Sequence, residues 1–250
     1  MKLGVIGGSG LYGLPGLSEV SSSRVMTAWG APSAALTRGR LHGAELFFLP
    51  RHGSNHHLPP HLINYRANIA ALADAGVAAI VATAAVGGIE YAAGAGVIVI
   101  PQQVIDYTYG REHSYCDGTQ PHPQHSDFSE PYTPSLRAHL MAAARAAQVV
   151  VRTTGVYAAT QGPRLESAAE IDRLERDGCT IVGMTGMPEA ALARELNIAY
   201  ANISLVVNPA AGRATGEITM ADIDRELAKG MGRIRSVLAA LAARLAAAGA

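Results

Sequence analysis

Residues 2–13 read Lys2-Leu3-Gly4-Val5-Ile6-Gly7-Gly8-Ser9-Gly10-Leu11-Tyr12-Gly13, a short apolar run that empties into glycines. The run has the length and composition of a buried strand. Gly8 to Gly13 match G-x-G-x-x-G, the spacing of a dinucleotide-binding turn. That fold needs a helix directly after the turn and an acidic residue about 20 positions further on. Pro15 and Gly16 break the helix, and Ser21-Ser22-Ser23-Arg24 stands where the acid belongs. A tight turn without a ligand stays open. A phosphate cradle fits better, because glycines let N–H groups approach an anion and the Ser9 hydroxyl adds a donor.

Outward from this turn, strand-like and helix-like segments alternate. Residues 45–50 read as a strand, 64–75 as a helix closed by Gly76, 77–82 as a strand bounded by Gly87-Gly88, and 97–100 as a strand stopped by Pro101. Residues 111–134 have no clean period and read as a long loop, a length that usually carries function. Further on, 136–147 read as helix, 149–157 as strand and 167–177 as helix. Pro188 opens a helix to 196, and 199–207 form a buried strand. Met220, Ile223, Leu227, Met231, Ile234, Leu238, Leu241 and Leu245 recur at helical spacing as one apolar stripe. Thr219 and Asp222 resemble a capping box at its start. The pattern predicts one α/β domain over residues 1–250, with a central mixed β-sheet flanked by helices.

Composition narrows the function. The 250 residues are 49% hydrophobic, and 20 basic side chains balance 20 acidic ones. A chain without a basic surplus argues against nucleic acid as the main partner. Cys116 and Cys179 lie far apart, so no disulfide framework is expected and a cytoplasmic setting is the default. The N-terminus reaches glycine too early for a signal segment, and Arg235 and Arg244 interrupt the Ala-rich end, so no membrane span is expected. His56, His57 and His61 bracket Pro59-Pro60, and His122 and His125 sit in a loop without paired carboxylates, so no metal site is expected. No G-x-S-x-G elbow occurs.

Two further segments carry anion chemistry. Arg51-His52-Gly53 follows a buried strand, and an Arg there offers a planar fork to two phosphate oxygens, with His52 as a further donor. An exposed Arg and a structural His are the plainer alternative. Thr185 precedes the Pro188 helix, whose N-terminus favours an anion, although Thr also serves there as an ordinary cap.

In order along the chain stand Gly7-Gly8-Ser9-Gly10-Leu11, Arg51-His52-Gly53, Asn64-Tyr65-Arg66-Ala67-Asn68, Val86-Gly87-Gly88, Gly162-Pro163-Arg164-Leu165-Glu166 and Gly183-Met184-Thr185-Gly186-Met187-Pro188-Glu189. This ordered set resembles the purine nucleoside phosphorylase and methylthioadenosine phosphorylase family over nearly the whole chain. The resemblance implies a phosphorylase-type fold. It implies phosphorolysis of a purine nucleoside with inorganic phosphate as co-substrate and no cofactor. It also implies a homotrimer, or a hexamer built from trimers, with active sites at subunit interfaces. By the same resemblance Ser9, Arg51, His52, Thr185 and the backbone near Ala85 hold phosphate. Met184 packs against the sugar, and His125 reaches the neighbouring subunit's 5′ pocket. Ala84 departs from the Thr or Asn that relatives often carry.

Glu166 and Asn208 address the base. In relatives of this pattern, Glu and Asn mark 6-oxopurine enzymes, whereas adenine enzymes carry Ser and an Asp-x-Asp. The stretch Asn208-Pro209-Ala210 replaces that Asp-x-Asp and is expected to contact the purine. A 6-oxopurine donates N1–H to a Glu166 carboxylate, while adenine N1 would leave it unpaired. Asn208 offers an N–H to O6 and an oxygen to N7–H. On residues alone, a surface Glu166 and a turn at Asn208-Pro209 remain open. Met220 stands where ribonucleoside relatives carry His, and an apolar sulfur side chain suits a thioether. A core position in the stripe is its other reading. Together they predict S-methyl-5′-thioinosine as substrate, with hypoxanthine and 5-methylthioribose 1-phosphate as products. The alternatives are methylthioadenosine, inosine or guanosine phosphorolysis, a water-using nucleosidase, or a nucleotide-binding module without catalysis.

Overall fold

The computed structural model describes residues 1–119, 122 and 125–248. β1 (Leu3–Gly7) is buried along its whole length, as its unbroken apolar run requires. After β2 (Ser18–Ser23) and β3 (Leu36–Leu41), β4 (Ala44–Pro50) returns beside β1, parallel to it, with Leu3 opposite Leu46 and Gly7 opposite Pro50. α1 (Tyr65–Asp74) starts at Asn64, whose side chain accepts from the Ala67 N–H. β5 (Ala79–Gly88), β6 (Ile98–Val99) and β7 (Gln103–Asp106) follow, then α2 (Pro134–Ala146), β8 (Val156–Ala159) and α3 (Ala168–Arg176). The chain ends with β9 (Ile181–Gly183), α4 (Gly186–Glu195), β10 (Ala199–Pro209) and α5 (Met220–Ala248).

The strands form one mixed sheet of ten, and β5 is its pivot. On one edge β5 pairs with β10 in parallel for nearly its whole length. On the other edge it changes partner. β1 pairs with it up to Ile6 opposite Ala82, and β9 takes over, antiparallel, from Val182 opposite Gly87. Residues 83–86 therefore face a split where β1 and β9 diverge. Ligands in α/β sheets bind where strands part in this way.

Two apolar layers sandwich the sheet. α2 and α5 cover one face, with Leu136, Leu140, Ile234 and Leu238 against Val5, Leu46 and Ile203. α1 and α4 cover the other, with Ile69, Leu72 and Leu192 against Ile6, Leu49 and Ile80. A smaller cluster holds α3 to β8 and β9 through Ile171, Leu174, Ala158 and Val182. The mixed sheet flanked by helices is the α/β fold expected from the sequence.

Several expected boundaries move. Residues 77–82 continue through Gly87-Gly88, because those glycines sit in the ladder to β9. Of 149–157, only the last two residues are strand. Before them Arg152 makes a lone bridge to Val99, and Gly155 turns the chain at φ +152°. β2 is exposed at all six positions, so it shows no apolar alternation to read. Met187 is extended (φ −121°, ψ 142°), which puts the regular start of α4 at Pro188. Thr219 Oγ1 accepts the Asp222 N–H at 3.2 Å but donates to the Asp222 carboxylate, so only half of the capping box forms. Met220 leaves the apolar stripe: it is 68% exposed, while Leu227, Met231, Ile234, Leu238, Leu241 and Leu245 are buried. Among the described residues no helix is long and apolar enough to cross a membrane.

Gly230 and Gly232 of α5 give a matched test of the packing. A Cβ at Gly230 would overlap the Leu205 side chain of β10, whereas one at Gly232 meets nothing within 4 Å. Gly230→Ala is expected to destabilise by about 1–3 kcal/mol through overpacking. Gly232→Ala is expected to stabilise by up to about 1 kcal/mol through helix propensity. Thermal unfolding of both variants measures the difference.

Candidate active site

The split beside β5 opens into a cavity of about 540 Å³, within the usual range for a small-molecule site. One wall is the turn after β1. Its Leu11 N–H closes back on the Gly8 carbonyl at 3.1 Å, and the Gly8 N–H donates to Thr83 Oγ1 at 2.9 Å. The Gly8 amide is thus spent within the protein, and Ser9, half-buried, presents its side chain to the cavity. Gly8 is glycine for space: a Cβ there would stand 2.5 Å from the Thr83 carbonyl oxygen and 2.9 Å from Arg51 Nη1.

Arg51 is not the exposed arginine of the plainer alternative. It is 1% exposed and pairs with Glu189 of α4, itself fully buried. Nε donates to one carboxylate oxygen and Nη2 to the other at 2.9 Å, while Nη1 donates to the Thr83 carbonyl at 2.8 Å. The Tyr200 hydroxyl adds a 2.8 Å bond to Glu189. Burial alone would weaken the charge, but the adjacent carboxylate dominates and keeps the guanidinium protonated. Of its five N–H groups, one on each terminal nitrogen remains beyond these bonds.

His52 is buried, and its Nδ1 stands 2.8 Å from the Leu58 carbonyl. Burial first, and then the Arg51 charge, lower its pKa to about 4. At neutral pH the ring is uncharged with its proton on Nδ1. Nε2 is then an acceptor, which corrects the expectation of a further donor there. Thr185 occupies the N-cap of α4, yet its side chain caps no helix N–H. Its own N–H points to the Tyr157 hydroxyl at 3.4 Å. The ordinary-cap alternative fails, and Thr185 lines the cavity with Ala84 and Ala85.

The base-side candidates arrive from two other elements. Glu166 is half-buried, and its Oε1 accepts the Thr160 hydroxyl at 2.7 Å. Asn208 lies within β10, not in a turn, and is buried. The β5–β10 register slips between Val206 and Asn208. Such a bulge re-aims side chains, and both Val207 and Asn208 line the cavity. Asn208 Nδ2 donates to the Pro209 carbonyl at 2.7 Å, leaving Oδ1 and one N–H. Met184 fills the wall beside Gly162, whose φ of +62° and lack of Cβ admit the Met184 sulfur. Met220 and Ala210 line the same cavity.

Two candidates lie apart. Pro209 borders an adjoining cavity with the 212–218 segment. His125 is exposed and not among the residues lining the cavity of its own chain. Sequence reasoning also missed contributors. Glu189 looks like an ordinary acidic residue in a first helical turn, and only its partner reveals it. Thr160 carries no motif. His56, His57 and Leu58 line the cavity as well, although the sequence offered the two histidines only as metal-ligand candidates and gave no signal for Leu58. Among the described residues no group of three His, Cys, Asp or Glu side chains is placed to hold a metal ion.

Known proteins resemble the chain in both sequence and fold. The sequence profile described as "Phosphorylase superfamily" matches residues 2–243. A protein of Pseudomonas syringae pv. tomato named "Probable S-methyl-5′-thioinosine phosphorylase" is 54% identical over 94% of this chain and 96% of its own. A "Probable 6-oxopurine nucleoside phosphorylase" of Thermococcus kodakarensis is 41% identical over 95% of this chain and 90% of its own. Methylthioadenosine phosphorylase from Schistosoma mansoni, solved in complex with adenine, superposes with a TM-score of 0.94 at 30% identity, covering 99% of this chain and 92% of that one. With the profile matched from residue 2 to residue 243 and relatives 54% and 41% identical over nearly the whole chain, the chain belongs to the phosphorylase superfamily.

Proposed function

We propose that this chain cleaves S-methyl-5′-thioinosine with inorganic phosphate, giving hypoxanthine and 5-methylthioribose 1-phosphate. The observation that carries the proposal is one cavity lined at once by the Arg51 and Thr185 set, by Glu166 and Asn208, and by Met220. Relatives bearing the thioinosine name at 50–54% identity support the substrate. The 6-oxopurine relatives support the base half of it.

In this reading Ser9, Thr185, the Ala85 backbone and the two spare Arg51 N–H groups hold phosphate, with His52 beside them. A phosphate oxygen bonds C1′ from the face opposite the base. The C1′–N9 pair of electrons leaves with the purine, and the proton that hydrogen phosphate loses is balanced by the proton the purine gains. Asn208 is the catalytic residue. Its free N–H meets O6 and its Oδ1 meets N7–H as negative charge develops on the leaving base. Glu166, fixed by Thr160, accepts N1–H. Contacts that strengthen as charge develops lower the barrier rather than merely bind substrate. Met184 packs on the sugar, and Met220 meets the methylthio group. Pro209 and Ala210 shape the base wall. The chemistry calls for no cofactor or metal. The chain is taken as one domain over residues 1–250, acting in the cytoplasm as a homotrimer in which His125 serves a neighbouring copy.

Side-by-side turnover of methylthioinosine, methylthioadenosine and inosine tests this. Methylthioinosine is expected to lead each competitor in kcat/KM by on the order of 100-fold. Omitting phosphate is expected to abolish turnover, and hydrolysis without phosphate would instead mark a nucleosidase. A lead for methylthioadenosine would overturn the base assignment. Met220→His is expected to move preference toward inosine by about tenfold, the worth of one added hydrogen bond. An unchanged preference would remove Met220 from the sugar pocket.

A further inference from the structure

The side chain next to Arg51 restricts which anion this site accepts. His52 has already committed one nitrogen. A carbonyl oxygen only accepts, so the 2.8 Å contact to Leu58 fixes the proton on Nδ1. The titratable groups around the ring leave it uncharged. Arg51 stands beside it and opposes a second positive charge, and burial acts in the same direction. The His56 ring packs at 4.5 Å between centroids and brings no negative charge. His57 lies against Gly53. Glu189, the buried carboxylate nearby, is committed to Arg51 and to the Tyr200 hydroxyl. His52 lines the cavity, and its uncommitted ring nitrogen is Nε2, which then carries a lone pair and no proton.

We infer that His52 makes the anion site selective for a tetrahedral oxyanion that itself carries a proton, so that hydrogen phosphate and hydrogen arsenate bind while sulfate and selenate are rejected. The inference rests on the reading that phosphate binds beside Arg51. Hydrogen phosphate and sulfate share shape and, near neutral pH, the same double negative charge. They differ by one proton. The P–OH group donates to Nε2, and the remaining oxygens accept from Arg51, Ser9 and Thr185. Sulfate would set an oxygen lone pair against the Nε2 lone pair, leaving two buried acceptors without a hydrogen between them. It can escape only by bringing a proton to His52.

Calorimetric titration of the whole protein with phosphate, arsenate, sulfate and selenate tests this, alongside phosphate-dependent nucleoside turnover. At about pH 8, phosphate and arsenate are expected to bind roughly 10- to 100-fold more tightly than sulfate and selenate, the worth of one unpaired buried acceptor. Sulfate does not titrate over the range from about pH 8 to pH 5 in which histidines change charge. Its affinity is expected to rise by up to about tenfold per pH unit as pH falls, with one proton taken up on binding. His52→Gln, whose amide can donate, is expected to narrow the phosphate-to-sulfate ratio. Equal affinities for phosphate and sulfate, and for arsenate and selenate, at pH 8, with sulfate binding independent of pH, overturn the inference while phosphate-dependent turnover keeps the proposed function standing. Turnover that needs no phosphate, with no phosphate binding, overturns both. If the variant does not fold, the wild-type pH series decides alone.

Discussion

A bidentate ion pair between Arg51 and Glu189, both almost wholly out of solvent, ties four elements together at the split in the sheet. Arg51 follows β4, Glu189 lies on α4, Thr83 on β5 accepts from Arg51, and Tyr200 on β10 donates to Glu189. Burying two charges costs several kcal/mol per ion, and such pairs seldom stabilise a fold against an apolar replacement. What this pair provides is placement. The guanidinium cannot swing, so its two spare N–H groups stay at one position in the cavity wall. Donors fixed before the ligand arrives need no reorganisation when charge develops.

The same device recurs at the polar groups facing the base. Thr160 fixes one oxygen of Glu166 and leaves the other, and the Pro209 carbonyl fixes one N–H of Asn208 and leaves the rest of its amide. Arg111, from the long segment before α2, joins these walls from behind. It donates to the Met184 and Met187 carbonyls at 2.8 and 2.7 Å and to the Gln161 carbonyl at 2.8 Å. It therefore clamps the chain leading to Glu166 against the chain that carries Thr185. A loop without periodicity thus contributes to the site through the buried side chain of Arg111.

Much of this was legible in the sequence where local chemistry and position coincide. Glycines after an apolar strand announced a tight turn, and the apolar runs placed β1, β4 and β10 within two residues at either end, and the start but not the end of β5. The departures share a cause. β2, β7 and β9 are too short or too exposed for a period to emerge, so only tertiary pairing defines them. Arg51 carried its positional signal, but Glu189 lies 138 residues away and no spacing rule connects the two. His52 shows the same limit more sharply. Its presence in the site was readable, while its hydrogen-bonding sense depends on the Leu58 carbonyl, a backbone group that composition cannot report.

Met220 sets the remaining constraint. A thioether gains from an apolar partner only in proportion to the area both remove from water, at roughly 25 cal/mol per Å². In a single chain Met220 is 68% exposed, so a methyl group resting against it would stay largely wet and would be distinguished poorly from a hydroxyl. Ile223 and Ile218 line the same wall but do not cover it. His125 meanwhile is exposed and lies outside its own cavity. Under the proposed trimer these two features have one physical consequence. A neighbouring copy that brings its His125 segment over Met220 would dry the 5′ pocket, and sugar selectivity would then depend on assembly. Base selectivity, built from Glu166, Thr160 and Asn208 within one chain, would not.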